Sequence, residues 1–102
     1  MYAVARLNSF DPEKLAAASD AVDQFDRARR TQPGYVGTVI IDLQAGRRLV
    51  LNRWDSAEHS AAALSALGPP VGPVLNPLMS DPSELIGVDT VTCTDLIPSP
   101  GA

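Results

Sequence analysis

Residues 35–43, Tyr-Val-Gly-Thr-Val-Ile-Ile-Asp-Leu, constrain the fold of this chain more than any other stretch. The run is rich in β-branched and aromatic residues and reads as a strand. Alternation puts Tyr35, Gly37, Val39, Ile41 and Leu43 on one face and Val36, Thr38, Ile40 and Asp42 on the other. Both faces are apolar in the middle, whereas a strand with one wet face alternates cleanly between apolar and polar. A sheet built around this strand needs cover on both sides.

The flanking sequence supplies cover for one side. Tyr2 to Phe10 reads as a first strand. Asp11-Pro12-Glu13 then reads as a helix start: Asp11 caps free N–H groups, Pro12 fits the first turn, and Glu13 suits the positive end of the helix dipole. Leu15, Ala18, Val22 and Phe25 follow on one face of a helix expected to run to about Thr31, and Pro33-Gly34 stops it. After the strand at 35–43, Gln44 to Arg47 makes a short turn in which Gly46 is free to take positive φ. Arg48 to Trp54 returns as the second arm of a hairpin. Asp55 or Ser56 caps a second helix, and Asp55 with Glu58 matches a capping box. Ala57, Ala61, Leu64 and Leu67 form the stripe of that helix, and Gly68 ends it. Prolines at 69, 70, 73, 77 and 82 argue against a regular long helix over 69–82. Ile86 to Leu96 reads as the last strand, and residues 98–102 read as a loose tail.

The order is β-α-β-β-α-β, which predicts an α+β, ferredoxin-like domain: a four-stranded antiparallel sheet with both helices on one face. At 102 residues the chain makes one domain, over 1–97, large enough to bury a core without staples. Two helices leave the second face open. Exposing Val39, Ile41 and Leu43 there would forfeit about 1.5–3 kcal/mol each, a sum that rivals the whole stability of a small domain. The simplest cover is the same surface of a second copy, so a homodimer is expected.

Composition narrows the function. A formal net charge of −4 does not suit a nucleic-acid binder, which needs a basic face to displace counterions. Arg27, Arg29 and Arg30 cluster, but Asp20, Asp23 and Asp26 precede them. The Asp23/Arg27 and Asp26/Arg30 spacings predict side-chain pairs on a solvated helix face. The single cysteine, Cys93, has no partner for an internal disulfide or a zinc site and reads as a strand residue. No apolar stretch approaches the roughly 20 residues of a membrane span, and the N-terminus lacks a signal-peptide pattern, so a cytoplasmic protein is expected.

Two motifs carry a resemblance. Pro33-Gly34-Tyr35-Val36-Gly37 ends the first helix and opens the second strand; Leu51-Asn52-Arg53-Trp54-Asp55-Ser56-Ala57-Glu58 ends the third strand and opens the second helix. The pair resembles the antibiotic biosynthesis monooxygenase-like family of dimeric α+β barrels, over roughly residues 2–96. The resemblance implies a pocket in each protomer between sheet and helices. It also implies oxidation of polycyclic phenolic or polyketide-like compounds with neither metal nor flavin. In a haem-degrading branch an Asn matches Asn8, an aromatic residue stands about nine positions after the Trp, and a His follows. Here those two places fall near Ala63 and Gly72, which argues against haem degradation of that type.

Oxygenation without a cofactor requires that the protein favour the anion of an electron-rich substrate inside an apolar cavity, through a base or hydrogen-bond donors. The polar candidates are Asn8 on the first strand, Asn52 on the Trp54 side of the third, and His59, the only histidine, at the edge of the second helix. Trp54, Phe25 and Met79 are the candidate substrate-binding residues, and the Pro-rich stretch 69–79, with Leu75, Leu78 and Met79, reads as a rigid connector or as a cover over the pocket. Two other readings use the same scaffold: a non-catalytic small-molecule-binding or stress-associated protein, and a haem-binding protein.

Overall fold

The computed structural model describes residues 1–91. The order is β1 (Tyr2–Phe10), α1 (Pro12–Ala17), α2 (Ser19–Arg30), β2 (Tyr35–Asp42), a 3-10 turn (Gln44–Gly46), β3 (Arg47–Trp54), α3 (Ala57–Leu75), a second 3-10 turn (Asn76–Leu78) and β4 (Met79–Thr90). The sheet runs β2-β3-β1-β4, with every neighbouring pair antiparallel. This is the expected ferredoxin-like α+β arrangement.

Three elements differ from the sequence reading. The first helix is two. Asp11 caps α1 as expected, accepting from the N–H groups of Glu13 and Lys14 at 3.0 and 3.2 Å. Ala18 then leaves helical geometry (φ −111°, ψ 26°) and its N–H donates back to Lys14 O and Leu15 O, which separates α1 from α2.

The second helix does not stop at Gly68. It continues through Pro69, Pro70 and Pro73 to Leu75. Each proline removes the hydrogen bond that residue i would give to i−4. All three prolines are exposed, so the carbonyls they release, on Ser65, Ala66 and Pro69, lie on an exposed stretch where water can serve them.

The last strand begins at Met79 rather than Ile86 and includes Pro82. Pro82 is tolerated because β4 is an edge strand and its pairing with β1 is irregular there: Leu7 pairs with Glu84, and the next partnered residue, Ser9, pairs with Asp81. The part of the expected strand beyond residue 91, with Cys93, and the tail at 98–102 lie outside the described residues.

In the hairpin turn a glycine is dictated by space. Gly46 takes φ +74°, and a Cβ there would collide with the backbone oxygen of Phe10. Ala45 before it also takes positive φ, 61°.

Phe10, Val50, Trp54 and Ala63 form the buried core. Side chains of Tyr2, Val4, Arg6, Asn8 and Phe10 on β1 and of Arg48, Val50, Asn52 and Trp54 on β3 face the helices and bound a cavity. On the opposite face Val39 pairs with Leu51 and Ile41 with Leu49. Val39 and Ile41 are 46% and 49% exposed, so this apolar face is uncovered within the single chain.

Candidate functional site

Between the sheet and helices α2 and α3 lies a cavity of about 500 Å3, within the size range of small-molecule sites. Its wall is mainly apolar: Val22 and Phe25 from α2, Val50 and Trp54 from β3, Ala61 and Leu67 from α3. Leu64 also lines it but is 68% exposed, while Ala63 is the buried member of α3. Of the six residues singled out from sequence, Asn8, Asn52, Trp54, Phe25 and Met79 all line this cavity.

His59 does not line it. Its Nδ1 lies 2.5 Å from Asp55 Oδ1, and its side chain is 43% exposed. Ser56, not Asp55, caps α3, accepting from His59 N–H at 3.2 Å. That frees Asp55 to hold the imidazole, and the hydrogen bond from His59 keeps the Asp55 carboxyl below the usual carboxylate range. The pair packs against Gly34, whose φ is +78° and whose place admits no Cβ: one would strike both His59 Nδ1 and Asp55 Oδ1.

Trp54 is anchored by its surroundings. It is 5% exposed, and Tyr35 meets its ring edge-on at a centroid distance of 5.6 Å. Tyr35 reaches that side because the β2–β3 register shifts between Tyr35 and Gly37; Tyr35 pairs with Trp54, and simple alternation from Val39 would have put it on the other face.

The two asparagines are oriented in the same way from opposite sides. Thr38 Oγ1 donates to Asn52 Oδ1 at 2.8 Å. Since the Thr38 proton is used there, Tyr35 O–H is the donor in its 2.8 Å contact with Thr38 Oγ1. On β1, Ser83 Oγ donates to Asn8 Oδ1 at 2.5 Å, and Arg6 Nη1 donates to Ser83 Oγ at 3.4 Å. In both cases a hydroxyl occupies the amide oxygen, leaving the NH2 group, a pure donor, as the free end of the side chain. Thr38, Ser83, Tyr35 and Arg6 were not identified from sequence, because each acts through a register or a β1–β4 pairing that local pattern does not encode.

Charged groups complete the lining: Arg6, Arg29, Arg48 and Asp26. Arg48 Nε pairs with Asp42 at 2.7 Å. Arg29 pairs with Asp26 at 2.9 Å; the expected Asp23/Arg27 and Asp26/Arg30 pairs do not form. Arg29 falls four residues after Phe25 and seven after Val22, on the apolar stripe of α2, and that spacing was the signal of its inward position. Ala63 and Gly72 both line the cavity, and neither has a side-chain ligating atom. Among the described residues, no three His, Cys, Asp or Glu side chains group as a metal site, and no helix is long and apolar enough to cross a membrane.

No family model and no curated protein matches the sequence. Solved structures do match in shape. A Nitrosomonas europaea protein described as a candidate antibiotic biosynthesis monooxygenase superposes with a TM-score of 0.77 at 16% identity, covering 91% of this chain and 100% of its own. A mutant of SnoaB, a cofactor-independent oxygenase from Streptomyces nogalater, gives 0.75 at 18% identity over 91% and 94% of the two chains. A second Nitrosomonas europaea protein, of unknown function, gives 0.74 at 13% identity over 95% and 94%. Almost the whole chain therefore has the fold found in solved antibiotic biosynthesis monooxygenases.

Proposed function

We propose that the protein is a homodimeric, cofactor-independent monooxygenase acting on an aromatic, polyketide-like small molecule. The observation that supports this reading is a pair of asparagines on the cavity wall whose amide oxygens are each taken by a hydroxyl donor, which leaves their N–H groups as the free end. Fixed donors in a site that excludes water stabilise an anionic oxygen far more than they would in solution. A phenolate or enolate held there is electron-rich enough to react with dioxygen. For a ring CH2, one oxygen atom becomes the carbonyl oxygen and the other leaves in water, with all four electrons drawn from the substrate. Trp54 and Phe25 give the flat apolar walls such a substrate needs. The likeness to SnoaB supports the reading by fold alone.

The homodimer is supported by the exposed apolar face at Val39 and Ile41, which a second copy would cover.

The test is dioxygen uptake with a panel of hydroxylated anthrones and quinols. The expected result is uptake by the wild type that is lost in Asn8→Ala and reduced in Trp54→Phe. Absence of uptake with every compound overturns the oxygenase reading. One observation favours a second reading, a binding protein without turnover: among the described residues the one carboxylate lining the cavity, Asp26, is tied to Arg29, and the single histidine, His59, lies outside it.

A further inference from the structure

Arg29 is the least expected residue in this protein. Only 5% of it is exposed, and arginine is almost never buried without full pairing. Its pairing is incomplete. Nη2 donates to Asp26 Oδ1 at 2.9 Å, while Nε is buried and has no acceptor. The guanidinium also lies over the Phe25 ring, 5.3 Å from its centroid. Both Arg29 and Phe25 line the cavity, so a cation stacked on an aromatic wall stands at the edge of the space a ligand would fill.

The charges of the lining do not cancel. Arg48 is offset by Asp42 and Arg29 by Asp26. The remaining cation, Arg6, has no acidic partner among the described residues; its Nη1 donates to the Ser83 hydroxyl. The cavity wall of an acidic protein thus carries one surplus positive charge, and its arginines and the two asparagine amides hold N–H donors. A ligand that satisfies it is a monoanion rich in acceptor oxygens.

Building on the functional reading above, we propose that the aromatic ligand carries a carboxylate that seats against Arg29, apart from the ring oxygen that the asparagine amides face. The planar fork of a guanidinium matches a carboxylate. A phosphate dianion fits less well, because Asp26 already offsets part of the Arg29 charge. In this arrangement Arg29 is a specificity residue: it selects among aromatic molecules and sets their direction in the cavity.

Trp54 is the only tryptophan in the chain and lines the cavity, so its fluorescence reports occupancy. The experiment titrates the protein with anthraquinone-2-carboxylate and with anthraquinone-2-carboxamide at neutral pH. The wild type is expected to bind the carboxylate at least tenfold more tightly. Arg29→Met is expected to reduce that ratio to near one. Arg30→Met, a change at an exposed arginine beside it, should preserve the ratio. Asp26→Asn, which removes the competing carboxylate and does not depend on the stability of an Arg29 variant, should raise carboxylate affinity several-fold. Equal wild-type affinities for the two probes, or a weaker carboxylate in Asp26→Asn, would overturn the proposal and leave an aromatic cavity standing. Failure of both probes to bind would overturn the aromatic reading of the cavity as well.

Discussion

Thr38 Oγ1 donates a 2.8 Å hydrogen bond to Asn52 Oδ1, joining β2 to β3 on the cavity side of the sheet. The bond fixes which end of the Asn52 amide faces a ligand. Thr38→Val keeps the shape and removes the donor. It should cost about 1 kcal/mol of stability in urea unfolding. It should also weaken probe binding in the cavity, because the amide can then turn its oxygen inward. Tyr35→Phe removes only the outer member of this chain and should weaken binding less.

Gly34 sits at φ +78° with the Asp55–His59 pair packed where a Cβ would project. Gly34→Ala is expected to cost at least about 1–2 kcal/mol from backbone strain alone. The collision should also separate Asp55 from His59. Chemical denaturation measures the first effect, and the histidine ring NMR signals report the second.

Asp55 titrates below the usual carboxylate range because His59 hydrogen-bonds its ionised form. A carboxylate lowered in this way stabilises the fold fully above its ordinary pKa, and the contribution disappears as pH falls through the lowered one. Wild type should therefore exceed Asp55→Asn in thermal stability at neutral pH, and the two should converge in acid. The pair is well exposed, so the gap should be small and should shrink further at high salt.

Ile41 lies on the uncovered sheet face, on the edge strand β2, and is 49% exposed. Ile41→Lys places a charge there with little effect on the fold of one chain. Light scattering should find the wild type as a dimer and the variant as a monomer. A monomeric wild type at micromolar concentration would remove the reason for a paired assembly.

The architecture was readable because its signals are local. Asp11 caps where a cap was expected, the 35–54 hairpin has its turn at 44–46, and the apolar alternation of β2 and β3 places Asn52 and Trp54 on one side. What escaped depends on contacts between distant segments. Ser83 orients Asn8 across 75 positions of sequence, and nothing near either residue encodes that. The charge pattern of α2 places Arg29 in a solvated cluster, while its spacing puts it in line with Val22 and Phe25, and in the fold the spacing wins. The prolines of α3 misled for a different reason. Proline removes a backbone donor and crowds the carbonyl four residues back, and at an exposed position water can serve the carbonyl that is freed.

Pro82 has a consequence beyond its place in the ladder. β4 is an outer strand, with Leu85, Ile86 and Val88 all exposed along it. Such a margin invites a foreign strand to add on and seed insoluble assemblies. Pro82 lacks the N–H a newcomer would need, and the shifted register beside it bends the template away from straightness. The first half of this margin is guarded. Any runaway stacking of copies should begin from residues 85–90, where no comparable gatekeeper stands.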